Sequence, residues 1–262
     1  MKNLLADGRK TLIGVVHLKP LPGSPRFRGD FSAILSHAVK DALAYEKGGA
    51  DALCIENFGD VPFTKGSVAP ETLASMTASG RAIREAVRVP IGFNVLRNDP
   101  HAALALCATC DGSFIRVNVH TGAMLTDQGI IEGNPYETVR YRERLCPDVQ
   151  IFADVHVKHA MPLGNWAIED SARDTVERGL ADALIISGTG TGRPAALSDV
   201  QRVRSACPTS KILLGSGTSL ANTKEFLPLA DGFIVGTSLK AGGNVTNPVD
   251  AKRVAALARL IH

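Results

Sequence analysis

Gly49-Ala50-Asp51-Ala52-Leu53, Leu180-Ala181-Asp182-Ala183-Leu184 and Leu229-Ala230-Asp231-Gly232-Phe233 write one corner three times. Each joins the end of an amphipathic run to the start of a short apolar one. Helix-to-strand connections this short belong to βα units, whose strands run parallel. Outward from these corners, strand-like runs cover residues 11–17, 52–56, 91–95, 113–118, 150–156, 183–187, 211–215 and 232–236. That makes eight, each followed by a segment that can be helical. Eight βα units point to an α/β fold of the (β/α)8 TIM-barrel class, with residues 1–262 as a single barrel domain. An open doubly wound sheet is the alternative, but it usually has fewer strands.

The helical segments have physical support. In residues 71–87, Leu73, Met76, Ile83 and Val87 recur at helical spacing and share one face. Phe31, Ile34, Leu35, Ala38, Ala42 and Tyr45 do the same between an Asp30 cap and a stop at Gly48-Gly49. Ser198 followed by Gln201 reads as a capping box. Asn247-Pro248 reads as the start of the last helix, whose buried stripe is Val254, Leu257 and Ile261.

Composition narrows the function classes. The 262 residues are 45% hydrophobic and 21% charged, which excludes disordered and collagen-like chains. Twenty-nine basic residues against 26 acidic ones give a net charge of +3, too balanced for a nucleic-acid partner. No apolar run is long enough for an integral membrane segment, and residues 1–10 carry no export signal. Five cysteines cannot all pair, so a cytoplasmic location with reduced thiols is expected. Cys107 and Cys110 form a C-x-x-C without a second pair at zinc spacing, and they read as buried small hydrophobes.

Barrels of this class place their active sites at the C-terminal ends of the strands. The polar residues there are His17, Glu56, Asn57, Asn94, Arg116, Asn118, Asp154, His156 and Lys158. Side chains alternate faces along a strand, so Arg116 goes with Asn118, and Asp154 with His156 and Lys158. An inward charged cluster is costly unless paired, which points to catalysis. The plain alternative is a structural ion pair of Arg116 with Glu56 or Asp154. Glu56, Asp154 and His156 together could also take a divalent cation such as Mg, though the spacing does not demand it. No serine sits in a nucleophile-elbow context.

The last strands end in glycine-rich loops. Gly215-Ser216-Gly217-Thr218 follows strand seven and Gly236-Thr237-Ser238 follows strand eight, with Lys240 nearby. Glycines let backbone N–H groups approach an anion, and barrels commonly hold phosphate at these two loops. Strand six ends in Ser187-Gly188-Thr189-Gly190-Thr191-Gly192-Arg193-Pro194, which lacks the helix a dinucleotide fingerprint needs. It reads as a pocket wall. The loops 18–29 and 119–134 are longer than turns require, and read as lids or as contacts of a homo-oligomer.

Several segments resemble the BtpA family, which includes the SgcQ-like proteins. They are Ile13-Gly14-Val15-Val16-His17-Leu18-Lys19-Pro20-Leu21-Pro22-Gly23-Ser24-Pro25, the run from Asp51 to Phe63, Gly92-Phe93-Asn94-Val95-Leu96-Arg97-Asn98-Asp99, Asp127-Gln128-Gly129-Ile130-Ile131-Glu132-Gly133, Asp154-Val155-His156-Val157-Lys158-His159-Ala160 and the loop 188–192. The resemblance spans nearly the whole chain. It implies a barrel akin to ribulose-phosphate-binding enzymes. It implies two functional directions, photosystem I biogenesis and sugar metabolism, and supplies no catalytic residues.

The residues themselves point to a cytoplasmic enzyme of small phosphorylated metabolites, sugar phosphates or nucleotide-like compounds. Lyase, isomerase and glycosidic-bond chemistry all fit. Catalysis falls to Glu56, Asn94, Arg116, Asn118, Asp154, His156 and Lys158, with Asp154 or Glu56 as base, His156 as acid or orienting partner, and Lys158 or Arg116 as anion stabiliser. Ligand binding falls to His17, Ser187, Gly188, Thr189, Gly215, Ser216, Gly217, Thr218, Gly236, Thr237 and Ser238. The alternative is a non-enzymatic assembly or regulatory factor, as the family resemblance implies.

Overall fold

The three repeated corners have a common purpose in three dimensions. Asp51 accepts the backbone N–H of Leu12 at 2.8 Å and returns its own N–H to the Leu12 carbonyl. Asp182 does the same to Ile151, at 2.7 Å, and Asp231 to Ile212, at 2.9 Å. Each aspartate therefore latches the start of one strand to the start of its neighbour. This fixes the relative register of the two strands, and with it every side chain above.

The computed structural model describes residues 4–5, 8–188 and 190–262. Thr189, expected above to bind ligand, lies outside them. The elements run β1 Thr11–His17, α1 Phe31–Lys47, β2 Ala52–Glu56, α2 Pro70–Ala86, β3 Ile91–Asn94, α3 Pro100–Cys110 and β4 Phe114–Val117. Then follow β5 Ala123–Thr126, β6 Gly129–Glu132, α4 Pro135–Leu145, β7 Gln150–Val155, β8 Ala160–Pro162, α5 Ile168–Glu177 and β9 Ala183–Ile186. The chain ends with α6 Leu197–Ala206, β10 Lys211–Leu214, α7 Thr223–Phe226, β11 Gly232–Val235 and α8 Ala251–Ile261. The eight expected strands close as a parallel barrel in the order β1-β2-β3-β4-β7-β9-β10-β11, with β11 returning to β1. The fold is the (β/α)8 barrel.

Alternation sorts the side chains into two cores. Ile13, Val15, Ala52, Cys54, Phe114, Phe152, Ala183, Ile185, Leu213 and Ile234 pack inside the barrel. Phe114 and Phe152 stack there with ring centroids 4.9 Å apart. The intervening residues, such as Leu12, Val16, Ile55, Ile115 and Leu184, face the helices. Gly14 is required by the outer layer, because a Cβ there would meet the Tyr45 ring at 2.4 Å.

Local expectations fare unevenly. Asp30 caps α1 by accepting from the Ala33 N–H, and Val254, Leu257 and Ile261 form the buried stripe of α8. Ser198 does not cap, since α6 starts earlier, at Leu197, with no side-chain cap. Asn247 does not start the last helix either. Asp250 caps it, accepting from the Lys252 N–H at 2.9 Å, while Asn247 bonds the Ala241 carbonyl. The helix after the seventh barrel strand shrinks to the four residues of α7. Cys107 and Cys110 are buried free thiols.

The long segment 119–134 is a hairpin, β5 with β6, and β8 pairs with β5 to make a three-stranded antiparallel sheet. Leu125 lies opposite both Ile130 and Met161, and all three are exposed.

Asp51→Ala should strip the buried Leu12 N–H of its side-chain acceptor and cost about 1–3 kcal/mol. Asp51→Asn, which keeps an acceptor oxygen, should recover most of that loss. Urea denaturation with an unchanged slope reads both.

Candidate active site

One step up from the apolar layers, the same inward positions turn polar. β1 supplies His17, β2 Glu56, β3 Asn94, β4 Arg116 and β7 Asp154. Glu56, Asn94, Arg116 and Asp154 are at most 5% exposed. Arg116 and Asp154 form a two-point pair, Nε to Oδ2 at 2.8 Å and Nη2 to Oδ1 at 2.9 Å. Asn118 Nδ2 donates to Asp154 at 3.1 Å, and the Ser187 hydroxyl donates to it at 3.2 Å. Asp154 thus receives four hydrogen bonds and a guanidinium charge. Burial alone would lower the Arg116 pKa, but Asp154 more than reverses this and raises it. Both of its oxygens are engaged. Of the two carboxylates expected to serve as base, Asp154 is thus the one bound up with its neighbours.

Glu56 is differently held. Asn94 Nδ2 donates to its Oε2 at 2.7 Å, and His17 Nε2 stands 3.9 Å from its Oε1. Burial opposes the charge, but Lys158, His17, Arg116 and the Asn94 hydrogen bond outweigh it and pull the pKa below the ordinary carboxylate value. Glu56 is therefore ionised at neutral pH with one oxygen facing the cavity. Lys158 meets it across the same cavity. Burial lowers the Lys158 pKa, Glu56 partly opposes this, and among the described residues its Nζ reaches only the Thr191 hydroxyl, at 3.5 Å. Burial brings His17 to about 4, so its ring is neutral. A Cβ on Gly236 would meet that ring at 2.7 Å, so glycine is needed there.

His156 breaks the alternation argument. β7 stops at Val155, and His156 has φ +51°, which turns its side chain out of the barrel. Its Nε2 pairs with the Ser171 hydroxyl of α5 at 3.0 Å, and it lines an outer cavity with Trp166. The acid role expected of it falls away. So does the cation site of Glu56, Asp154 and His156. His156 points elsewhere and the Asp154 oxygens are taken. Among the described residues no cluster of three His, Cys, Asp or Glu suits a metal.

The two glycine loops join the mouth. A cavity of about 320 Å³ is lined by His17, Glu56, Arg116 and Lys158 on one side, and by Ser216, Gly217, Thr218, Gly236, Thr237 and Ser238 on the other. Gly217 has φ +70°, and a Cβ there would lie 2.2 Å from the Pro194 nitrogen, so the sixth and seventh loops touch backbone to backbone. Asn222 braces the turn, donating to the Gly217 carbonyl and accepting from the Ser219 N–H. Ser238 Oγ donates to the Thr218 carbonyl at 2.6 Å and ties the two loops together. The N–H groups of Thr218, Thr237 and Ser238 have no acceptor among the described residues. Ser187 is spent on Asp154. A Cβ on Gly188 would meet the Arg193 and Pro194 carbonyls, so Gly188 packs the loops. A Cβ on Gly215 would meet the Ser187 hydroxyl at 2.7 Å, so it too serves packing.

Lys240, expected to add charge here, does not. It is buried and paired with Asp41 of α1 at 2.7 Å. Its place is taken by Arg253, from the first turn of α8, which lines the cavity and donates to the Ser238 carbonyl at 2.8 Å. Sequence reasoning missed Arg253; the available signal was a basic residue opening the helix after the last loop. It also missed Arg97, which donates to the Lys158 carbonyl at 2.6 Å.

The BtpA family model matches residues 8–262. An uncharacterized protein of Thermococcus kodakarensis is 48% identical over 96% of this chain and 95% of its own. The Photosystem I biogenesis protein BtpA of Synechocystis is 46% identical over 94% of this chain and 85% of its own. The sgc region protein SgcQ of Escherichia coli is 32% identical over 97% and 94%. Among solved structures, tryptophan synthase from M. tuberculosis superposes with TM-score 0.62 at 16% identity, covering 98% of this chain and 94% of that one. Phosphoribosyl anthranilate isomerase from Thermus thermophilus gives 0.56 at 16%, covering 95% and 97%. At such identities these likenesses speak to the fold.

Asp154→Asn should leave Arg116 buried without a counter-charge and lower stability by about 3–5 kcal/mol in chemical denaturation. Acid should act through His17. The unfolded chain protonates this residue near pH 6.5 and the folded chain only near 4, so stability falls as pH drops through that window. The loss attributable to His17 should reach about 3 kcal/mol. His17→Gln should show a shallower decline over the same range.

Proposed function

The chain belongs to the BtpA family, and we propose that it is an enzyme acting on a small phosphorylated metabolite. One observation carries the reading. A single cavity joins unoccupied N–H donors of two glycine loops, with Arg253, to an ionised Glu56 and the Lys158 amine. Anions suit the first half and proton transfer the second. The phosphate would rest on Thr218, Gly236, Thr237 and Ser238, with Arg253 adding charge.

The chemistry we assign is proton abstraction beside a carbonyl. Glu56, oriented by Asn94, takes the proton. Lys158 steadies the negative charge that develops on the carbonyl oxygen. Isomerisation and aldol-type cleavage both proceed through such a step. Glycosidic-bond cleavage commonly employs two working carboxylates, and Asp154 is fully bonded, so that chemistry is served less well. The Arg116–Asp154 pair holds the frame under Glu56 and Lys158.

The proposal places this enzyme in the cytoplasm, as one barrel domain that forms a homo-oligomer. The five free thiols and the exposed Leu125, Ile130 and Met161 stripe support that placement. Among the described residues no helix is long and apolar enough to cross a membrane. A second reading, a non-enzymatic assembly factor, draws on the photosystem I biogenesis role for which the Synechocystis relative is named.

A thermal-shift panel of inorganic phosphate, sugar phosphates and nucleotides tests the choice. A ligand at 100 times its Kd adds about 2.7 kcal/mol. For a chain of this size that should raise the Tm by roughly 5–10 °C. Arg253→Gln should abolish the response. Glu56→Gln should keep it while cutting turnover of the responding compound by about 100-fold or more. A flat response across the panel would favour the assembly reading.

A further inference from the structure

Beyond Glu56 and Lys158 the mouth opens into a second lobe. This cavity of about 560 Å³ shares Glu56, Lys158 and Thr191 with the phosphate-loop cavity, so the two adjoin at those side chains. One wall is apolar, built from Phe58, Phe63 and Leu96. Arg97 forms the other. Arg97 is only 4% exposed, yet no carboxylate lies within ion-pair distance of it among the described residues. Its guanidinium meets one neutral acceptor, the Lys158 carbonyl, through Nη2. Its Nε is sealed from solvent and makes no hydrogen bond. Asp127 lines the same lobe but is itself exposed, with one oxygen held by the Gln128 amide.

A buried cation without a partner is a standing cost to the fold. Nη1, which is neither sealed nor bonded among the described residues, keeps its donors for a carboxylate oxygen. We propose that Arg97 binds a carboxylate of the substrate, which is then a phosphorylated acid. Its phosphate sits on the loops after β10 and β11 and its carboxylate in the Arg97 lobe. The carbon skeleton between them passes Glu56 and Lys158, which places the reacting carbons beside the base. This inference rests on the phosphate reading and narrows it to compounds with an anion at each end. Phe58 and Phe63 leave room for the skeleton and offer it no hydrogen bonds.

Matched pairs of probes decide it. Phosphoglycolate, 3-phosphoglycerate and 6-phosphogluconate are titrated calorimetrically beside 2-hydroxyethyl phosphate, glycerol 3-phosphate and glucitol 6-phosphate. Each pair differs by a carboxylate against a hydroxymethyl group. For at least one length the acid should bind ten-fold or more tightly than its alcohol. Arg97→Gln should shrink that ratio to within two-fold, and Arg97→Lys should restore part of it. Arg253→Gln should weaken both members of the pair alike. Equal binding of acids and alcohols in the wild type overturns the Arg97 assignment while leaving the phosphate site standing, as does a preference that survives in Arg97→Gln. Failure of every probe, inorganic phosphate included, overturns both.

Discussion

Three aspartates at the bottom of the barrel accept the second or corresponding N–H of a neighbouring strand and return their own. The latch is small, but register in a sheet is all-or-none. A shift of one residue would send each inward side chain to the opposite face. Because the latches hold β1 against β2, β7 against β9 and β10 against β11, the barrel interior is apolar below and polar above. On these strands the inward positions are apolar at Ile13, Ala52, Phe114 and Phe152 and polar two or four residues later, at His17, Glu56, Arg116 and Asp154. The β1–β2 corner, for one, sets His17 opposite Glu56.

At that level charge is divided unequally. The Arg116–Asp154 pair takes in Asn118 and Ser187 and closes on itself, joining β4, β7 and the loop after β9. Both Asp154 oxygens have donors. Glu56 keeps one oxygen toward the cavity, and Lys158 has no carboxylate within ion-pair distance among the described residues. Closed and open charges thus come from the same sequence pattern, and the hydrogen-bond partners separate them.

Much of this was legible in the chain. Strand positions follow from alternating apolar runs, and the inward placement of Arg116, Asp154 and Glu56 follows from parity. Parity failed at His156, because it holds only while the strand continues, and a positive φ at that residue ends it. Lys240 misled for another reason. Its partner Asp41 lies 199 residues away on α1, and nothing local announces the contact. The hairpin of β5 and β6 hid inside a segment with three glycines, where two short strands lack the length for a clear period. Arg253 and Arg97 reach the mouth from a helix start and a loop, positions that strand-end reasoning does not survey.

An anion bound at the mouth is the claim on which the functional reading stands. Crystals of the protein soaked in tungstate, a heavy phosphate mimic, would locate it by anomalous scattering. The expected result is a single strong peak within hydrogen-bond distance of the Thr218, Thr237 and Ser238 N–H groups and the Arg253 guanidinium. A peak elsewhere with these loops empty, or none at saturating tungstate, would contradict it.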